Sequence, residues 1–237
     1  MANLAKNPVV KLYLTLYNIA SFIGWGCGLV FTIQALACKQ DFSQSFALAF
    51  PYIQIFQTTM LLEVVHSLIG FVRSPFMTTL MQVLSRIFLV WVILFPTNAV
   101  TEAVRVFPSV STMFIAWSIT ECVRYSFYAI NLWTTVPWPL QWVRYSAFFI
   151  LYPLGAGSEM VCALYAAYLY LKNPELEMFA VPIGSTGYTL KASYLILAGC
   201  STYIPGFPKL YFYMVSQRKK IMRKHREEKK QVSKKSE

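Results

Sequence analysis

The chain has 237 residues, of which 57% are hydrophobic and only 13% charged, and it carries a formal net charge of +11. A soluble domain has about 25% charged residues, so this composition excludes a water-covered globule and describes a polytopic membrane protein. Ten of the 21 Lys and Arg residues fall between positions 218 and 235, a run expected of a cytosolic positive-inside flank touching anionic lipid rather than of a nucleic-acid site.

Six apolar runs are long enough to span a bilayer: 12–37, 46–70, 76–95, 110–134, 143–171 and 188–215. The first is preceded by Lys6 and Lys11 and lacks a convincing cleavage site, so it predicts a span rather than a signal peptide. An even number of spans places both termini on one side. The basic tail, with Lys6, Lys11, Arg73 and Arg144, makes that side cytosolic. The opposite loops, near 38–45, 96–109 and 172–187, hold Asp41, Glu102, Glu175 and Glu177. Backbone groups in lipid must pair internally, so the expected architecture is all-α, a six-transmembrane-helix bundle over 1–215 with a basic cytosolic tail at 216–237, and no strands. There is no internal repeat of the kind secondary transporters show.

The runs contain more polar side chains than packing requires. The second holds Gln54, Gln57, Glu63 and His66, the third Gln82 and Arg86, the fourth Glu121 and Arg124. Spacings of three or four residues put several of these pairs on one helix face. Glu121 and Arg124 suit a buried ion pair that fixes helix packing, with Gln82 and Arg86 bridging helices.

The fifth run carries the most informative residue. A carboxylate at membrane depth costs on the order of 3 kcal/mol and marks a functional site by default; here it is Glu159. Tyr152 precedes it by seven residues, roughly two helical turns, so both side chains share a face about 10 Å apart. Pro153 frees a backbone carbonyl one turn back, and Gly155 and Gly157 permit close approach of a helix or ligand.

Two motifs between residues 63 and 74 carry little. Glu63-Val-Val-His66 is half of a di-iron helix motif, but the only other histidine is His225 in the tail. The stretch from His66 to Arg73 has the spacing of a tyrosine-phosphatase loop with serine in place of the nucleophilic cysteine, and serine without a base does no thiolate chemistry. The five cysteines are odd in number and contain no CxxC pair, so neither a disulfide framework nor a zinc site is expected.

Several strings together resemble one family. They are the run from Leu62 to Gly70 (LEVVHSLIG), Gln82 to Arg86 (QVLSR), Ile119 to Tyr128 (ITECVRYSFY), Arg144-Tyr145, Leu151 to Gly155 (LYPLG) with Ser158-Glu159, and Tyr203 to Pro208 (YIPGFP). The likeness runs from about residue 9 to residue 220 and is to the very-long-chain (3R)-3-hydroxyacyl-CoA dehydratases, also called protein tyrosine phosphatase-like proteins. It implies loss of water from a 3-hydroxyacyl-CoA to give the trans-2-enoyl-CoA, in the elongation cycle of the endoplasmic reticulum. It also implies catalytic roles for Tyr152 and Glu159 and supporting roles for Gln82, Arg86, Glu121, Arg124 and Gly155, with no cofactor and no metal. The implied partners are the acyl-CoA substrate, membrane lipid and other elongation enzymes, and no nucleic acid.

That chemistry suits the two residues. A base must take the weakly acidic C2 proton, and an acid must protonate the departing C3 hydroxyl. Burial makes a carboxylate a stronger base, and a phenol stays protonated and can donate. Glu159 as base with Tyr152 as acid is the expected division, and the reverse stays open, as does a catalytic rather than structural role for Arg86 and Arg124. Lys234-Lys235 resembles a dilysine retrieval signal for the endoplasmic reticulum. The rival readings are a non-enzymatic membrane scaffold that binds elongation enzymes or a signalling partner, and a transporter using Glu63, Glu121 and Glu159.

Overall fold

The structure, a computed structural model, describes residues 7–38, 42–72, 76–182 and 188–235. Lys6, Asp41, Arg73 and the side chains of Lys234 and Lys235 lie outside the described residues. Helix α1 (Pro8–Ala37) starts where the Asn7 side chain accepts from the Val9 amide at 2.9 Å, with Pro8 in the first turn, an arrangement that satisfies one orphan donor and presets φ. Its buried residues, among them Leu14, Asn18, Ser21, Trp25, Thr32 and Ala35, recur every three or four positions and form one stripe.

Gly24 on that stripe lets α2 approach closely: a Cβ there would sit 1.8 Å from the Phe56 ring, which would have to shift. Phe56 belongs to α2 (Phe42–Thr59), and the second apolar run breaks at Met60 before α3 (Leu61–Leu68). The third run gives α4 (Phe76–Phe88), a π-helical turn (Leu89–Leu94) and, after a bend of 117°, the short α5 (Ala99–Arg105). Arg105 reaches back across the bend to the carbonyls of Leu94, Phe95 and Pro96 at 2.9, 2.9 and 3.1 Å, supplying the donors that the helix end lacks.

Helix α6 (Pro108–Asn131) is central and packs against α1, α2 and α8. Then come α7 (Trp138–Arg144), α8 (Phe148–Lys172) with Pro153 inside, and α9 (Ala192–Lys235), which packs on α8. Buried Trp25, Ile53, Phe114, Trp117, Cys162 and Tyr170 join these helices in one apolar core.

Three segments are long and apolar enough to cross a membrane, Pro8–Ala37, Phe42–Leu68 and Trp138–Lys172, and a fourth if the bent pair of Thr79–Leu94 and Ala99–Arg105 is one span. The runs at 110–134 and 188–215 are helical over most of their length, in α6 and α9, but do not reach that apolarity. In α6 the reason is its place in the bundle: Ser111, Ser118 and Glu121 are buried against other helices rather than lipid. Helix α9 continues without a break through residue 215 and includes Pro205 and Pro208.

The expectation of no strands is corrected. Between α8 and α9 a short antiparallel hairpin pairs β1 (Ala180–Pro182) with β2 (Thr189–Lys191), in register Ala180 with Lys191. It falls in a link expected outside the bilayer, where water hydrates unpaired strand edges, so the rule against open sheets in lipid does not bear on it.

Candidate active site

Glu159 is buried in α8, and both of its oxygens are held. Oε1 accepts from the Trp117 indole Nε1 on α6 at 2.7 Å, and Oε2 accepts from the Tyr203 hydroxyl on α9 at 2.5 Å. Each donor reaches across a helix interface, so this carboxylate ties α6, α8 and α9 together. Gly155, one turn before Glu159, allows the approach to α6: a Cβ there would meet Ala116 and Trp117 at 3.7 Å, ordinary contact with nothing to spare for a larger side chain. Gly157 faces open space.

Tyr152, two turns before Glu159, is half-buried. Its ring stacks on Phe207 of α9 at 4.8 Å and 18°, with Tyr211 beyond it at 6.3 Å. The phenol lies within electrostatic reach of Glu159 and Arg86. Packing against α9 therefore fixes the plane of the Tyr152 ring, while the carboxylate is fixed by hydrogen bonds.

A second cluster lies alongside. Arg86 on α4 contacts Glu121 Oε1 at 2.6 Å, Glu121 Oε2 contacts Arg124 Nε at 2.6 Å, and Arg124 Nη2 contacts Glu63 Oε1 at 2.8 Å. Tyr125 donates to the same Glu63 oxygen at 2.5 Å, and Tyr17 of α1 donates to it at 3.4 Å. Two guanidinium groups alternate with two carboxylates, so the chain of charges is neutral as a whole. Burial of an unpaired ion costs several kcal/mol, and alternation is what makes this one tolerable. It links α1, α3, α4 and α6. It also touches the first cluster, because the Arg86 guanidinium sits 4.8 Å from the centre of the Trp117 ring.

Five of the seven residues singled out in the sequence thus fall in or beside these clusters by direct contact: Glu159, Gly155, Arg86, Glu121 and Arg124. Tyr152 faces the same region from α8, and Gln82 does not join: it lies on the exposed face of α4, where its carbonyl accepts from Ser85 at 3.1 Å. Trp117 and Tyr203 were not foreseen as partners of Glu159, although Tyr203 opens one of the distinctive strings. Glu63 was weighed as a metal ligand and as part of a transport pathway, not as a partner of Arg124. Instead it pairs with Arg124, while His66 Nε2 and the Tyr13 hydroxyl share a hydrogen bond at 2.9 Å. Among the described residues, no three His, Cys, Asp or Glu side chains gather as a metal site would require.

A carboxylate has about four lone-pair positions, and two donors leave the others free. The site can therefore accept a proton at a fixed point in apolar surroundings, two helical turns from the half-buried Tyr152 phenol on the same helix.

Comparison with known proteins bears on what such a site is for. The family model described as "Protein tyrosine phosphatase-like protein, PTPLA" matches residues 57–224. The chain belongs to the protein tyrosine phosphatase-like family. Within that family it is 37% identical over 214 residues to the very-long-chain (3R)-3-hydroxyacyl-CoA dehydratase hpo-8 of Caenorhabditis elegans, covering 90% of this chain and 95% of that one. It is 37% identical over 226 residues to very-long-chain (3R)-3-hydroxyacyl-CoA dehydratase 2 of Homo sapiens, covering 94% and 85%. The dehydratase PASTICCINO 2B of Oryza sativa subsp. japonica is 36% identical over 219 residues, covering 92% and 96%. No solved structure matches the chain significantly.

Proposed function

We propose that this protein is a lyase that removes water from very-long-chain (3R)-3-hydroxyacyl-CoA to give the trans-2-enoyl-CoA, as the names of its relatives say of them. The observation that carries the reading is Glu159, buried and held by Trp117 and Tyr203 on the same helix as a stacked, half-buried Tyr152. Glu159 takes the C2 proton on one of its free lone pairs. Electrons move into the C2–C3 bond as the C–O bond at C3 breaks, and the Tyr152 phenol protonates the departing hydroxide, which leaves as water. Transfer of the captured proton from Glu159 to the Tyr152 phenolate resets the site. Arg86, 4.8 Å from the ring of the Trp117 that donates to Glu159, contributes positive potential where negative charge develops on the thioester, in a medium where such charges act strongly. Gly155 allows α8 to approach Trp117. Gln82 supports the reaction from the outer face of α4.

In this reading residues 1–215 form a six-span unit with both termini cytosolic, and 216–237 form the basic cytosolic tail. The protein sits in the endoplasmic-reticulum membrane with Lys234-Lys235 as a retrieval signal, alongside other elongation enzymes. The bundle takes the acyl chain, and the nucleotide stays at the cytosolic face.

The test is turnover of long-chain 3-hydroxyacyl-CoA by the full chain in nanodiscs. Wild type releases enoyl-CoA, and Glu159→Gln and Tyr152→Phe each lower the rate by about 10² to 10⁴, the worth of a general acid or base, while melting like wild type. Turnover of both variants within a few-fold of wild type overturns the assignment. A wild type that yields no product but still captures elongation enzymes is a scaffold.

A further inference from the structure

A cleft of about 520 Å³ opens where the end of α6, the 132–137 link and the start of α7 meet the far part of α9. Its volume falls in the range of small-molecule sites, and it lies outside both clusters described above. Its lining is unlike an acyl tunnel. Asn131, Thr134, Thr135 and Gln141 offer hydrogen-bonding groups, and Lys224 adds a cation and His225 an imidazole from α9. Trp133, 58% exposed, presents an indole that is pinned by its Nε1 donating to Thr15 at 2.7 Å, with the Lys11 ammonium 4.2 Å from the ring centre. His225 is itself stacked on Trp138 at 3.5 Å, which keeps α9 against α7. An aromatic surface, a row of neutral hydrogen-bonding side chains and a basic rim are the features a purine nucleotide requires.

Its distance from the reacting groups is also informative. Tyr211, which stacks near Tyr152, and the cleft residues Ile221 and Lys224 lie on one helix, so the cleft begins roughly 15 Å and reaches Lys224 roughly 20 Å along the axis from Tyr211. The arm of coenzyme A between sulfur and its first phosphate has 13 bonds, which standard bond lengths extend to about 16 Å. A thioester whose sulfur lies beside Tyr152, with Glu159 two turns further from the cleft, thus brings its first phosphate to the edge of the cleft, and the rest of the nucleotide extends into it.

We propose that the cleft binds the adenosine bisphosphate part of coenzyme A, the purine against Trp133 and the phosphates at Lys224 and His225; this rests on the dehydratase reading for the substrate but not for the binding itself. Glu228 also lines the cleft and pairs with Lys224 at 3.7 Å. Both side chains are exposed, so the pair is weak and an arriving phosphate displaces the carboxylate.

The experiment is calorimetric titration of the full chain, in nanodiscs of neutral lipid, with adenosine 3′,5′-bisphosphate, adenosine and inorganic phosphate. The bisphosphate binds and the other two bind at least tenfold more weakly. Lys224→Glu and Trp133→Ala each weaken it about tenfold, whereas Lys230→Glu, the same charge change six residues further along the tail, does not. In turnover, Lys224→Glu raises KM for the CoA thioester about tenfold relative to KM for the same acyl group on pantetheine. Equal loss with Lys230→Glu, or equal KM changes for both thioesters, overturns the proposal in favour of diffuse tail charge. Equal binding of inorganic phosphate overturns it in favour of a general anion patch of the kind a lipid headgroup would occupy. Should wild type turn over neither thioester, the dehydratase reading fails while the titrations still decide the cleft.

Discussion

Tyr203→Phe is the most pointed test of how Glu159 is held. The substitution keeps the ring and removes one oxygen, so the packing of α9 on α8 is retained and the only loss is the donor 2.5 Å from Glu159 Oε2. A hydrogen bond to a charged group contributes about 1.5–3 kcal/mol. At 1.4 kcal/mol per decade in rate, a carboxylate misplaced by that loss lowers kcat/KM by roughly 10- to 150-fold. Because Trp117 still holds Oε1 at 2.7 Å, Tyr203→Phe costs less than Glu159→Gln. The assay is appearance of enoyl-CoA in nanodiscs, resolved chromatographically, with a thermal melt to establish folding. Trp117→Phe, measured beside it, removes the other donor and gives a loss of the same order. If Tyr203→Phe turns over within about twofold of wild type, the bond between α8 and α9 has no part in catalysis and the positioning argument fails.

The other predictions concern the frame around the site. Glu121→Gln leaves Arg86 and Arg124 without the carboxylate between them, which costs about 3–5 kcal/mol and lowers Tm by roughly 6–20 °C for a chain of this size; an unchanged melt means the ion chain is not stabilising. Gly24→Ala drives a methyl into the Phe56 ring and costs about 1–3 kcal/mol of overpacking, whereas Gly155→Ala meets only ordinary contacts and leaves the melt near wild type. Equal melts for those two variants refute the close approach of α1 and α2. For topology, an N-glycosylation acceptor placed at residue 175 is modified in microsomes and one placed at residue 226 is not; modification at both rules out six spans with a cytosolic tail.

The sequence alone was enough for class and family. So few charges leave no alternative to membrane helices, and the seven-residue spacing of Tyr152 and Glu159 puts both on one face of α8 wherever that helix packs, because helical periodicity is local. The resemblance carried by strings such as LYPLG and YIPGFP named the family before any contact was visible. The same logic could not say what faces Glu159. In lipid, apolar side chains suit the bilayer and the bundle interior equally well, so hydrophobic pattern does not reveal which face of a helix turns inward or which helix it meets. Trp117, Tyr203 and Glu63 come from elements 42, 44 and about 60 residues away from their partners, and only the rotation and packing of α6, α9 and α3 brings them in. Tertiary structure likewise decided that Gln82 stays outside, that the second run breaks at Met60 and the third bends after its π turn, and that a hairpin forms between α8 and α9, each a matter of what neighbours a segment rather than of its own composition.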